Sequence, residues 1–119
     1  MTQPTVSEFV NDWFDTHRSE IIGWRRHIHS HPETSNQEFE TTNYLAKILG
    51  EYGVEAQRFP ETGLMVDIGP DTEEGRIAFR ADIDALPVQE VTGLEYSSQT
   101  PGVSHSCGHD VWMNPTYPI

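Results

Sequence analysis

Two residues near the end of the chain have side chains that commonly bind metal ions. In SHSCGHD, Cys107 and His109 are two positions apart, and Gly108 between them permits a tight backbone turn. A thiolate and an imidazole are good ligands for Zn²⁺ and similar divalent ions, at about 2.0 to 2.3 Å. The alternative is a partly buried free cysteine beside a surface histidine. His105 is a further possible ligand, although we expect it to be an ordinary loop residue.

A pair of carboxylates follows a predicted strand upstream of this motif. Asp82 and Asp84, in RADIDALP, are two residues apart, so the strand period predicts that both side chains point to the same side. Carboxylates at a strand end suit metal binding or the orientation of a base in an α/β active site. The alternative is two exposed aspartates that end a strand and solvate a turn.

Three histidines occur near the end of a predicted helix. His27 and His31 are four residues apart and share one helix face, which would allow them to bind a metal together. Positive charge in the last turns of a helix also complements the helix dipole. Arg25 and Arg26 lie directly before these histidines and add to that charge. We therefore favour structural or capping roles for His27, His29 and His31 over ligation.

Other hydrolase chemistries find less support in the sequence. Cys107 could act as a nucleophile if an imidazole activated its thiolate, but residues adjacent in sequence rarely provide that geometry. The chain contains no GxSxG, HExxH or glycine-rich phosphate loop. Serine hydrolase, zincin and nucleotide-binding functions are therefore not indicated.

Apolar spacing predicts two helices at the start of the chain. The first extends from Thr5, which with Glu8 could form a capping box, to about residue 30, because Pro32 disfavours helical geometry in the residue before it. A second capping signal, Ser35 with Glu38, predicts a second helix that stops near residue 53.

A β-rich region follows the two helices. VEAQRF, LMVDIG and RIAFRADI are short β-prone runs separated by the turn-like segments PETG and PDTEEG, and the second turn predicts a hairpin between the last two strands. Helices followed by strands predict an α/β fold with a mixed sheet. Residues 87–106 are predicted to form a long ordered loop near a functional site. Two helices over three strands would leave one sheet face open, so we expect an incomplete domain.

Composition limits the class of partner. The 119 residues can bury one modest core, and their net charge of −12 repels phosphate backbones and anionic lipids. Nucleic acid and membrane partners are therefore not expected. The start of the chain has no basic segment or continuous apolar run typical of a signal peptide, which predicts a cytoplasmic protein. The single cysteine cannot form an intramolecular disulfide.

Taken together, three segments resemble a known family in order and spacing. WRRHIHSHPETSNQEFETTNYLAKILGEYG, RIAFRADIDALP and GVSHSCGHD are similar to the metal-dependent amidohydrolases, a zinc metallopeptidase family that includes hippurate hydrolases, aminoacylases and indoleacetyl-amino-acid hydrolases. The similarity spans roughly residues 10 to 111. It implies an α/β dinuclear-zinc exopeptidase-like catalytic domain, of which residues 1–111 would be the N-terminal part and residues 112–119 a divergent tail.

The resemblance also implies a reaction and roles for particular residues. It implies hydrolysis of amide bonds in small N-acyl amino acids by two divalent ions, Zn²⁺, Mn²⁺ or similar, and a smaller inserted domain that often forms a homodimer. Cys107 and His109 match the family's first metal ligands. Asp84 matches the aspartate that supports and orients the metal-site machinery, with Asp82 at its flank. His29 and Glu38 match a helical motif for which a structural role is expected.

The end of the chain departs from the family pattern. The family's base glutamate, the adjacent glutamate ligand and further histidine ligands follow CGHD, and Trp112 replaces a common histidine. The prolines of the tail would break the helix expected there. We therefore expect the chain alone to be inactive, as part of a truncated enzyme. The alternatives are a non-catalytic remnant that binds metal weakly and a cysteine-dependent hydrolase.

Overall fold

The computed structural model describes residues 2–112, in which helices precede strands as the sequence predicts. The elements in chain order are α1 (Val6–Ser30), α2 (Phe39–Glu51), β1 (Gln57–Arg58), β2 (Leu64–Met65) and α3 (His109–Trp112). Most of the predicted tail lies outside the described residues. Within residues 2–112, none of the helices is long and apolar enough to cross a membrane.

Helix α1 has the predicted ends. The Glu8 N–H donates to the Thr5 hydroxyl oxygen at 3.2 Å, and the Thr5 N–H donates to the Glu8 carboxylate at 2.7 Å. These bonds satisfy backbone donors that have no partner within the helix, and they lower the pKa of Glu8. The helix ends at Ser30, with His31 as its C-cap immediately before Pro32.

Helix α2 is capped by a different residue from the one predicted. Glu38 occupies the N-cap position without a capping side-chain hydrogen bond, so the Ser35–Glu38 capping box is wrong. The Glu33 carboxylate instead accepts the Glu40 N–H at 3.1 Å and the Thr41 N–H at 2.6 Å. A carboxylate at this end of a helix also complements the positive pole of the helix dipole.

The C-terminal end of α2 contacts α1 through the side chain of Tyr52. The Tyr52 hydroxyl donates to the Glu20 carboxylate at 2.5 Å, and this bond is the main cause that raises the pKa of Tyr52 to about 12. The Tyr52 ring also lies 5.9 Å from the rings of both Trp13 and Trp24. The chain then leaves α2 as predicted at Gly53, whose φ of 72° belongs to the left-handed region that glycine adopts readily.

The predicted third strand, RIAFRADI, is not formed. The described strands are the antiparallel pair β1 and β2, with Gln57 opposite Met65, so the hairpin crosses PETG rather than PDTEEG. Ile77 and Phe79 are 86% and 87% exposed. A strand needs a neighbour for its backbone N–H and C=O groups, and no described segment pairs with this one.

The capping role of Glu33 predicts a difference between two nearby substitutions. Glu33→Ala should lower the free energy of unfolding by about 1 to 2 kcal/mol, because it leaves two helix-end N–H groups without their acceptor. Ser35→Ala should change it by less than about 0.5 kcal/mol. Urea denaturation followed by circular dichroism measures both values, and equal losses would contradict the assignment of the cap to Glu33.

Candidate metal centre

Short backbone contacts place Asp84 beside the CGHD turn. The next residue, Ala85, donates its N–H to the Glu33 carbonyl at 2.8 Å. Leu86 and Ser104 exchange both backbone hydrogen bonds, at 2.9 and 3.0 Å, and thereby pair the two ends of the 87–106 loop. Ala85 and Ser104 are buried. The predicted loop thus forms without helix or strand, and its ends hold Asp84 near His109.

Asp84 and His109 are in direct contact. His109 Nδ1 lies 2.9 Å from both the carboxylate and the carbonyl oxygen of Asp84. A ring that donates from Nδ1 has its Nε2 lone pair available in the neutral form, which is how carboxylates commonly orient metal-binding histidines. The geometry therefore suits His109 as a ligand and Asp84 as the residue that orients it.

Cys107 lies on the solvent side of the same turn. Its thiol is free and exposed, and Gly108, with φ of 81°, turns the chain between Cys107 and the start of α3. Asp82 does not join this group, because its carboxylate pairs with the exposed Arg80 at 2.8 Å. Among residues 2–112, no group of three or more His, Cys, Asp or Glu side chains could hold a metal ion. The described residues therefore offer two candidate ligands.

Behind the turn, His29 connects two carboxylates. His29 Nδ1 lies 2.7 Å from Asp110 Oδ2, and His29 Nε2 lies 2.8 Å from Glu90 Oε1. The side chains of all three residues are at least nine-tenths buried. The two ring nitrogens of His29 thus connect Asp110 and Glu90. Arg25 Nε, 2.9 Å from Asp110 Oδ2, supplies a positive charge beside the Asp110 carboxylate.

Glu90 remains ionised to low pH. Burial raises its pKa, but this is outweighed by hydrogen bonds from the Thr92 hydroxyl and the Ser98 N–H, and by the charge of His29, so the pKa falls to about 2. The sequence analysis did not identify Glu90. The only available signal was its position as a carboxylate in the loop predicted to lie near the site.

His105 is buried rather than available at the surface. Neither ring nitrogen has a hydrogen-bond partner among the described residues, and the same holds for Asp110 Oδ1. Burial is the largest cause that lowers the pKa of His105, and the nearby negative charge of Asp110 partly opposes it. His105 thus lies in a loop, as expected, but packs behind the candidate ligands.

Known proteins resemble this chain in sequence. It is 48% identical over 96 residues to N-acetyl-L-cysteine deacetylase of Bacillus subtilis, a match that covers 80% of this chain and 23% of the relative. It is 39% identical over 111 residues to N-acyl-L-amino acid amidohydrolase of Geobacillus stearothermophilus, covering 92% of this chain and 29% of the relative. No protein-family model matches.

A solved structure matches the fold as well. The YXEP protein of Bacillus subtilis, described as a dinuclear metal binding peptidase from the M20 family, superimposes with a TM-score of 0.75 at 42% identity. The match covers 81% of this chain and 27% of that structure. The relatives of this chain are M20-family amidohydrolases, and the fold matches the N-terminal part of the M20 peptidase domain. The chain spans about a quarter of the length of the relatives it matches.

The buried position of His29 predicts a large effect of its removal. His29→Leu should lower the free energy of unfolding by about 3 to 5 kcal/mol, because it leaves two carboxylates buried without their shared partner. Arg18→Ala is the control, since its ion pair with Asp15 is exposed and should contribute less than about 1 kcal/mol. Urea denaturation measures both, and a loss for His29→Leu no larger than the control would contradict the assignment.

The low pKa of Glu90 predicts acid sensitivity. The folded-state pKa of about 2 lies below the ordinary value of 4.5, so the ionised carboxylate stabilises the fold above pH 4.5 and this stabilisation is lost as the pH falls towards 2. Glu90→Gln should flatten the decline of stability over that range, whereas Glu55→Gln, at an exposed position, should leave it unchanged. Denaturant titrations at several pH values provide the measurement, and parallel declines in the parent chain and Glu90→Gln would contradict the prediction.

Proposed function

We propose that this chain supplies the first metal ligands, Cys107 and His109, to an amidohydrolase that cleaves small N-acyl amino acids. The observation that carries the proposal is the contact between His109 Nδ1 and Asp84, which leaves His109 Nε2 free to bind a metal. The printed names of two relatives, a deacetylase and an N-acyl-L-amino acid amidohydrolase, support the reaction and the substrate class.

The donor set fits a divalent ion of borderline softness. A thiolate and an imidazole suit Zn²⁺, and the description of the solved relative as dinuclear supports two ions in the complete enzyme, with Mn²⁺ as another candidate. Such ions make hydroxide available near neutral pH and polarise the scissile carbonyl. In this chain, Asp84 would hold the His109 ring in its ligating tautomer, and the buried His29–Asp110 pair would hold the backbone that carries His109.

The proposal also includes a cytoplasmic location and a homodimeric assembly for the complete enzyme. An exposed thiol that serves as a ligand must stay reduced, which is consistent with the cytoplasm. The family resemblance implies a homodimer formed through a smaller inserted domain. The net charge of −12 fits a small-molecule substrate better than a nucleic acid or membrane partner.

A second candidate function is a non-catalytic protein that binds one metal ion weakly. It is favoured because no group of three or more His, Cys, Asp or Glu side chains within residues 2–112 could hold a metal ion, whereas a catalytic zinc site has about three protein ligands and a water. Turnover of N-acetyl amino acids by the 119-residue chain would exclude this second function. Metal binding without turnover by this chain is compatible with both functions, and activity of a complete enzyme that contains it would select the first.

Titration with Co²⁺ tests the proposed ligands. The parent chain should show a thiolate-to-metal absorption band, which Cys107→Ser should abolish. Asp84→Asn should weaken Co²⁺ binding about 10- to 100-fold, because the partner that orients His109 changes. Asp82→Asn is the matched control and should bind like the parent chain, since Asp82 pairs with Arg80. Unchanged affinity in the double variant Cys107→Ser/His109→Ala would overturn the proposal.

A further inference from the structure

The edge segment, residues 76–83 (RIAFRADI), has no backbone partner within residues 2–112. None of its backbone N–H or C=O groups makes a hydrogen bond with another residue of that range. Its apolar side chains Ile77 and Phe79 are 86% and 87% exposed. Unpaired backbone groups beside exposed apolar side chains are the features by which a strand of another chain is added to an edge.

The edge segment alternates between apolar and charged positions. In an extended strand, the odd positions would form an apolar face with Ile77, Phe79 and Ala81, and the even positions would carry Arg76, Arg80 and Asp82. The guanidinium of Arg80 lies 2.8 Å from the carboxylate of Asp82, which agrees with two such side chains on the same side of the backbone. A partner strand must therefore match an apolar face to an apolar face.

The edge segment is complementary to a second copy of itself. In an antiparallel pair centred on Phe79, Arg76 of each copy lies opposite Asp82 of the other copy, and the two Phe79 side chains lie opposite each other. Opposite charges and aromatic side chains at directly opposed positions stabilise an antiparallel pair. The segment has two arginines and one aspartate, so it is locally positive, although the net charge of −12 opposes association elsewhere on the surface.

Other registers that keep the apolar faces together are less favourable. A pair centred on Ala78 or on Arg80 would place arginines of the two copies opposite each other, which is destabilising. A pair centred on Ala81 would extend to Ala85, whose N–H already donates to the Glu33 carbonyl at 2.8 Å. The charges and the existing backbone bonds therefore select the register centred on Phe79.

The charges of the edge segment are free to exchange partners. Within the chain, Arg76 lies 3.1 Å from Asp67 and also contacts Asp71, and Arg80 contacts Asp82. The side chains in these pairs are all exposed, and exposed ion pairs contribute little to stability. Replacing them by equivalent pairs between two copies therefore costs little.

We propose that the edge segment pairs with the edge segment of a second copy of this chain, antiparallel and centred on Phe79, in a closed two-fold dimer. Backbone hydrogen bonds and the burial of Ile77 and Phe79 stabilise the dimer, and the charges select the register. This interface includes neither Cys107 nor His109. It is also distinct from the inserted domain through which the complete enzyme is proposed to dimerise.

The first experiment measures molar mass against concentration by light scattering. It uses the full 119-residue chain with Cys107→Ser, so that the exposed thiol cannot join two copies by a disulfide. The molar mass should rise with concentration to twice the 13.5 kDa of one chain. Adding Phe79→Asp should give a folded monomer, with the circular dichroism of the parent chain. Val91→Asp is the matched control, because Val91 is 91% exposed and lies outside the segment, and it should still dimerise.

The second experiment tests the register by charge reversal. Arg76→Asp should weaken dimerisation at least about tenfold, because two-fold symmetry creates two pairs of opposed aspartates. The double variant Arg76→Asp/Asp82→Arg should restore it to within about threefold of the parent chain, because both pairs are then reversed in sign. Arg18→Asp makes the same change in net charge on the exposed side of α1 and should have little effect.

Three results would overturn the proposal. A monomer at every concentration would do so, and another protein segment would then be the occupant of this surface. Assemblies that grow beyond two copies would exclude the closed pair. Equal losses for Arg76→Asp and Arg18→Asp, or a double variant no tighter than Arg76→Asp alone, would exclude the pairing of residues 76 and 82.

Discussion

The buried contact of His29 with Asp110 and Glu90 is the interaction on which the rest of the structure depends. It joins the end of α1 to residues 81 and 61 positions later in the chain. Each carboxylate would be costly to bury alone, so both depend on the His29 ring as a partner, and Asp110 also depends on the charge of Arg25. Because Asp110 directly follows His109, holding Asp110 also holds the start of α3. The geometry of the candidate ligand His109 therefore depends on a histidine that is not itself a candidate ligand.

This arrangement divides the site into a rigid side and an open side. Asp84 and His109 are held by paired backbone segments and by the buried charges behind them, whereas Cys107 is exposed on the turn. An orienting carboxylate behind a histidine increases its basicity as a ligand, and the contact between Asp84 and His109 has this arrangement. The open side is where further ligands would approach. The relatives, of which this chain spans about a quarter, are long enough to supply them.

The three histidines at the end of α1 illustrate how spacing alone can mislead. His27 and His31 share a face of α1 and stack, whereas His29, between them in sequence, points to the opposite side and is buried. From the sequence alone, the preference for positive charge at the C-terminal end of a helix would explain all three histidines equally well. The contacts separate them: His31 hydrogen-bonds a helix carbonyl, His27 packs on Tyr44, and His29 pairs with carboxylates. The predicted structural role is thus supported for His29.

The sequence by itself determined the features that depend on neighbours within a few residues. The Thr5–Glu8 capping box, the length of α1, the exit at Gly53 and the CGHD turn follow from local spacing. The combination of motifs indicated the family to which the relatives of this chain belong. The tertiary structure decided the rest. Three features depend on which distant segments come into contact: the Glu33 cap, the absence of the RIAFRADI strand and the two partners of His29. A buried charge or an extended backbone is stable only where another segment supplies its partner. The spacing of residues in the sequence does not show which distant segments come into contact.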